Sequence, residues 1–211
     1  EMKGRIKEDD SSVPQKDGDW VYWTAFETGG QYRKWWRRPV AAGEDKSQDL
    51  LILDEPALAE GKEYFRLGSF SVSNDGRLLA YAIDDNGSER FEVRVKDLIT
   101  GEHLPDVIPG MLSEIVWTAD DTGFLYGLAN DQWRTDNARL HWLGTPIADD
   151  IELFKEADEG FRVGVSETSD RKWIVLSSGD HVTSEIYLLP ATDPLATPLC
   201  VSPRQVGREY D

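Results

Sequence analysis

The stretch Val72-Ser-Asn-Asp-Gly-Arg-Leu-Leu-Ala-Tyr81 joins a turn centred on an aspartate to a short apolar run. The same order of residue types returns in Val116-Trp-Thr-Ala-Asp-Asp-Thr-Gly-Phe-Leu-Tyr126 and in Ser166-Glu-Thr-Ser-Asp-Arg-Lys-Trp-Ile-Val-Leu176. Aspartate favours turns through its side-chain oxygen, and β-branched and aromatic residues favour strands. Each copy therefore predicts a tight turn that leads into a β-strand.

The spacing of these copies predicts the architecture. Taking Asp75, Asp121 and Asp170 as the turn centres, the repeats are 46 and 49 residues apart. A period of this length fits one four-stranded antiparallel sheet per repeat, which is typical of a β-propeller blade. The sequence thus predicts an all-β fold, a partial β-propeller of about four blades.

The repeats also suggest how the chain is divided. Only Asp54–Gly61 has the signals of a helical turn, with an acidic cap, a proline for its first position and a glycine to end it. The predicted segments are an entry linker at 1–12 and a propeller fragment at 13–211, with blade one at about 13–61, blade two at about 62–110, blade three at about 111–157 and blade four at about 158–204.

Composition limits the partners of the chain. It has 40 acidic and 23 basic residues, and its formal net charge is −17. A surface this acidic repels phosphate backbones, so we predict no nucleic-acid binding. The charge could attract short basic peptides, or it could serve solubility alone.

Cys200 is the only cysteine in the 211 residues, so no internal disulfide is possible. Together with the lack of a recognisable signal peptide, this favours a reducing cytoplasmic location. No apolar run approaches the roughly 18 residues that a membrane-spanning helix needs. We therefore predict no membrane partner.

Motifs for catalysis or cofactor binding are missing from the sequence. It contains no Gly-x-Ser-x-Gly, no phosphate-binding loop, no His-Glu-x-x-His and no Cys-x-x-Cys. We therefore predict no catalytic residue, no cofactor-binding residue, no metal ligand and no cofactor in this chain. His103, His141 and His181 are predicted to lie on the surface or on edge strands, because no other histidine or cysteine is near any of them in sequence.

Two further patterns have a structural and a functional interpretation. The segment Arg33–Arg38 mixes basic and aromatic residues, as in a base-stacking platform, or as in a strand whose side chains pair with acidic neighbours. Paired aspartates could serve acid–base chemistry or calcium binding, but their position favours turn formation. The pairs are Asp9-Asp10, Asp84-Asp85, Asp120-Asp121 and Asp149-Asp150.

The ordered segments resemble the propeller of the prolyl oligopeptidase family, in its oligopeptidase B branch. The resemblance rests on Arg5–Pro14, Gly29–Tyr32, Leu53–Gly61, Tyr64–Gly68, Val95–Gly101, His141–Thr145, Thr183–Glu185 and Gly207–Tyr210. It implies a seven-bladed propeller that filters and gates access to an α/β-hydrolase domain with a Ser–Asp–His triad. Such cytoplasmic serine endopeptidases cut short peptides, and this branch cuts after Arg or Lys.

The resemblance also implies that the chain is one part of a longer enzyme. Both ends look cut, so we expect a fragment that is inactive alone and whose partner is the hydrolase domain of the same parent chain. We also expect self-association through exposed end blades. The alternative is an independent propeller that acts as a scaffold for protein partners. One departure from the family is Leu140, where an arginine is often found.

Overall fold

The computed structural model describes residues 10–210. Four antiparallel sheets of four strands each follow one another along the chain, and in every sheet the strands pair in sequence order. The predicted all-β fold is confirmed. The strands are β1 Gln15–Asp17, β2 Trp20–Phe26, β3 Arg33–Pro39, β4 Leu50–Asp54, β5 Arg66–Val72, β6 Leu78–Asp84, β7 Phe91–Asp97, β8 His103–Met111, β9 Val116–Trp117, β10 Gly123–Tyr126, β11 Asn137–Trp142, β12 Ile151–Lys155, β13 Arg162–Glu167, β14 Trp173–Gly179, β15 Ser184–Pro190 and β16 Leu199–Cys200.

The chain divides into two compact units, one ending at Phe65 and the other beginning at Arg66. The first unit holds the first sheet, β1 to β4, and the helical turn α1, Glu55–Ala59. Asp54 caps α1 by accepting a hydrogen bond from the amide of Ala57. The predicted helix is thus present, but proline occupies its second position, because the helix begins at Glu55.

The basic and aromatic segment of the first unit forms strand β3. Its side chains bind acidic residues, as the structural interpretation predicts. The indole of Trp35 donates to Glu55 at 2.6 Å, Lys34 lies 2.5 Å from Glu27, and Arg38 lies 3.3 Å from Asp49. These groups are therefore engaged within the unit.

The second unit holds the other three sheets, and its core lies between neighbouring sheets. Successive residues of a strand point to opposite faces. In β10, Phe124 and Tyr126 pack with the second sheet, whereas Leu125 packs with the fourth. All three side chains are fully buried. Leu140 stands where the family that the sequence resembles often has arginine. It is fully buried among the apolar residues that the third and fourth sheets share.

The repeated turn has a consistent chemistry across the three sheets of the second unit. A hydroxyl donates to the aspartate two residues later, in Ser73–Asp75, Thr118–Asp120 and Thr168–Asp170. The hydrogen bond from Thr168 is the main cause that lowers the pKa of Asp170 to about 2. The choice of Asp121 as the third-sheet turn centre was therefore wrong by one residue, because Asp120 is the equivalent of Asp75.

The residue after each turn aspartate adopts the left-handed conformation. It is Gly76 in the second sheet, Asp121 in the third and Arg171 in the fourth, with φ between 55° and 74°. Asp121 uses this position to bind the second sheet. Its carboxylate accepts hydrogen bonds from the amides of Asn74 and Asp75 and from the Asn74 side chain, at 2.8 to 2.9 Å.

Candidate functional site

A groove of about 480 Å³ lies in the second unit. It lies at the start of β5 and β13, which are the first strands of the second and fourth sheets. We call it the first-strand groove and define it by Arg66 and Gly68 of β5, Glu114 before β9, and Arg162 and Gly164 of β13. It is bounded by strands of the second and fourth sheets and by segments that precede strands of the third sheet. Grooves between repeats are common places for ligands to bind in propellers and other repeat folds.

Two glycines in the lining of this groove allow side chains of the same sheet to lie directly against the backbone. A Cβ at Gly68 would lie 2.6 Å from the ring of Phe91, and a Cβ at Gly164 would lie 2.7 Å from the hydroxyl oxygen of Ser177. Both glycines stand two residues after an arginine at the start of a first strand. The Arg-x-Gly pattern thus occurs in β5 of the second sheet and in β13 of the fourth.

The lining of the groove combines an apolar surface with a few charges. Phe91, Met111, Val163 and Val165 are largely buried and contribute apolar surface. Sites that bind small molecules and peptides commonly have this composition, with apolar walls and few polar groups that fix orientation.

Two polar groups of the groove bind each other, and its two arginines are exposed. Ser69 donates a hydrogen bond of 3.0 Å to Glu114. Arg66 and Arg162 are both exposed, and the guanidinium of Arg66 lies 5.7 Å from the ring centroid of Phe91. Within residues 10–210, neither arginine side chain has a hydrogen bond or an ion pair. Their donors face solvent and are available to a ligand.

A buried network lies elsewhere in the second unit, between the second and third sheets. Nδ1 of His141 is 2.7 Å from Asp150, and Nε2 is 3.0 Å from Asp106. The Tyr126 hydroxyl donates to Asp150 at 2.6 Å; burial and then this carboxylate raise the pKa of Tyr126. Both ring nitrogens of His141 thus lie within hydrogen-bonding distance of a carboxylate oxygen.

This network corrects two predictions. His141 is buried rather than placed on the surface or at an edge, whereas His103 and His181 are exposed. Asp150 serves the network rather than a turn. Asp84 does support its loop, as predicted for the acidic pairs, and Asp9 lies outside the described residues. Sequence reasoning missed the network because Asp106 and His141 are 35 residues apart and no local motif joins them.

Among residues 10–210, no group of three or more histidine, cysteine, aspartate or glutamate side chains is arranged to hold a metal ion. No helix in the described part of the chain is long and apolar enough to cross a membrane. That the chain carries no catalytic or cofactor-binding residue stays a prediction.

Comparisons with known proteins establish the family. The model of the prolyl oligopeptidase N-terminal β-propeller domain matches residues 1–211. The chain therefore belongs to this family, as predicted. It is 34% identical to dipeptidyl aminopeptidase BI of Pseudoxanthomonas mexicana and 27% identical to protease 2 of Moraxella lacunata, covering 100% of this chain and 31% of each relative.

The fold comparison agrees with the sequence comparison. The structure of oligopeptidase B from Leishmania major matches with a TM-score of 0.94 and 26% identity, over 100% of this chain and 30% of that chain. The predicted likeness to the oligopeptidase B branch is thus confirmed. The chain spans about a third of the length of the relatives that it matches.

Proposed function

We propose that this chain is the propeller portion of a cytoplasmic serine oligopeptidase that cleaves short peptides after Arg or Lys. The observation that carries the proposal is the family match along the whole chain, together with the likeness to oligopeptidase B. The relatives are about three times as long as this chain. We therefore propose that an α/β-hydrolase domain with a Ser–Asp–His triad belongs to the same protein.

The role proposed for the propeller is to filter and gate substrates. A propeller next to an active site excludes folded proteins and admits flexible peptides, and movement of the domains controls entry. The first-strand groove supports this role, because it offers an apolar lining and free donors to an extended peptide.

The charge of the chain suggests how basic peptides are selected. A net charge of −17 attracts cations over distances of about 10 Å at moderate salt. We propose that this field increases the rate at which Arg- and Lys-containing peptides associate. The cytoplasmic location is supported by the single cysteine, Cys200, since disulfides are rare in reducing compartments.

The test uses the protein expressed from its full reading frame and the 211-residue chain in parallel. We expect the full protein to hydrolyse a short fluorogenic peptide after Arg, and to leave the same sequence uncut within a folded protein. The 211-residue chain should hydrolyse neither. The rate constant kcat/KM should fall as salt is raised, because screening weakens the attraction.

Three results would count against the proposal. A stop codon soon after Asp211 would favour an independent scaffold. Turnover by the 211-residue chain would place catalytic groups within it. A kcat/KM for basic peptides that does not change with salt would rule out the electrostatic contribution, while leaving the peptidase assignment in place.

A further inference from the structure

The first-strand groove has a charge of opposite sign to the chain. Its lining includes two arginines, Arg66 and Arg162, and one acidic residue, Glu114, so its formal charge is +1. The chain as a whole carries −17. A local reversal of sign provides a place for an anionic group on a surface that otherwise repels anions.

Most arginines elsewhere in the second unit are held by other residues of that unit, either by a carboxylate or by a backbone carbonyl. Arg77, Arg94, Arg171 and Arg204 each form an ion pair with a carboxylate at 3.3 Å or less. Arg66 and Arg162 form none within the described residues, although the sequence has 40 acidic residues. Their guanidinium groups therefore remain free to bind a carboxylate, for which the planar fork of donors is well suited.

The register of the repeats places the two side chains on equivalent positions. Each arginine is the first residue of a first strand, β5 or β13, and each lines the same groove. The third sheet lies between them along the chain and places Glu114 at its own entry. The repeat itself thus brings two cationic groups to one groove.

We propose that the first-strand groove binds a carboxylate of a short peptide through Arg66 and Arg162. The carboxylate is either the C-terminal group or an acidic side chain. The inference rests on the proposed function and deepens it, since it names the chemical group of a peptide substrate that the groove binds. The apolar surface of Phe91 and Val163 receives adjoining side chains, and Glu114 accepts from peptide N–H groups.

The test measures binding to the 211-residue chain by isothermal titration calorimetry. Three acetylated tetrapeptides are compared: acetyl-Ala-Ala-Phe-Leu as the free acid, the same peptide as the C-terminal amide, and the amide of acetyl-Ala-Asp-Phe-Leu. We expect the free acid to bind about tenfold more tightly than the first amide, because a charge-assisted contact is lost. Tight binding of the aspartyl amide would identify a side-chain carboxylate as the ligand instead.

Variants assign the effect to the two arginines. R66Q with R162Q should abolish the preference for the acid, and each single variant should reduce it. K172Q is the matched control, because it removes the same charge from the turn at the far end of β13. Circular dichroism melting curves establish that the variants remain folded.

Each outcome has a definite meaning. Equal binding of acids and amides, a preference that survives the double variant, or an equal loss in K172Q would overturn the inference. So would a lack of binding by all three peptides. None of these results would affect hydrolysis by the full protein, which tests the proposed function separately.

Discussion

Asp84 is the residue whose side chain organises the loop between β6 and β7. Its carboxylate accepts hydrogen bonds from the backbone amides of Asn86, Gly87, Ser88 and Glu89, at 2.7 to 3.2 Å. Burial raises the pKa of Asp84, but these four hydrogen bonds together outweigh that effect, so its pKa lies below the ordinary value. The charged form is therefore the one that holds the loop.

Replacing Asp84 by alanine should lower the free energy of unfolding by about 2–3 kcal/mol at pH 7, because the amides lose their acceptor. The pKa of Asp84 is lower in the folded state than in the unfolded state, where it is about 3.9, so the ionised carboxylate stabilises the fold at pH values above about 3.9. This contribution disappears as the pH falls through the folded-state pKa. Urea denaturation at several pH values should therefore show the difference between wild type and D84A shrinking toward pH 3.

The control for this prediction is D131N. Asp131 is exposed, and in the described residues it has no hydrogen bond, so its replacement removes a charge without removing a contact. We expect a change within 0.5 kcal/mol. A D84A effect as small as that of D131N would contradict the assigned role.

His141 is expected to be the most sensitive histidine. In H141A two buried carboxylates, those of Asp106 and Asp150, lose their shared partner. Leaving a buried acceptor without its donor costs about 1–3 kcal/mol, so we expect a loss of at least that size in urea denaturation. Adding D106N to H141A should restore part of it, because one uncompensated carboxylate is neutralised.

The matched control is H181A, because His181 is exposed and lies in a loop. Its unfolding free energy should stay within 0.5 kcal/mol of the wild type. If H141A behaved like H181A, or if D106N made H141A less stable, the network would not contribute as described.

At the scale of single residues, the sequence alone predicted contacts between neighbours along the chain and missed contacts between residues far apart in it. Ser73 and Asp75 are two residues apart, so turn chemistry is visible in the sequence. Asp106 and His141 meet only because neighbouring sheets pack together. The groove arginines did leave a signal, since both stand in an Arg-x-Gly pattern at the start of a repeat, but comparison of equivalent positions is needed to find it.

The turn between β9 and β10 is the element that joins two sheets through one side chain. Asp121 has a φ of 57° and accepts three hydrogen bonds from the turn of the second sheet. A non-glycine residue in this conformation costs about 1–2 kcal/mol, and the contacts offset that cost.

Two substitutions separate the conformational cost from the contacts. D121G and D121A both remove the hydrogen bonds, but only glycine adopts a positive φ freely. We expect D121G to lower the free energy of unfolding by about 1–2 kcal/mol, and D121A by about 1 kcal/mol more, in guanidinium denaturation. Equal stability of the two variants would show that the backbone relaxes at this turn.

At the scale of elements, the repeat period predicted the strands well and the register less well. Strand β6 follows the turn at Asp75 as predicted, and the helical turn after β4 is present. The turn centre of the third sheet was misassigned by one residue because two aspartates, Asp120 and Asp121, stand side by side. Hydrogen bonds assign the turn to the first and the cross-sheet contact to the second.

At the scale of the molecule, one face of the fourth sheet carries a row of apolar side chains. Val175, Leu188 and Leu199 are cross-strand partners on β14, β15 and β16, and Leu199 is 60% exposed. Apolar faces of this kind promote association. We therefore propose that the 211-residue chain self-associates, and that L188E with L199E shifts it toward monomer in sedimentation velocity experiments.

V206E is the control, because Val206 is 94% exposed and lies outside the strands. It adds a negative charge without changing the sheet face, so its sedimentation should match the wild type. A wild-type chain that remains monomeric at high concentration would contradict the proposal.

The in-order pairing of strands has a consequence for synthesis on the ribosome. Within residues 10–210, each sheet can form as soon as its fourth strand has been made, because its strands pair in sequence order. Contacts between residues close in sequence form quickly. We expect the nascent chain to acquire structure one sheet at a time as it leaves the exit tunnel, so that each finished sheet offers a surface on which the next can assemble.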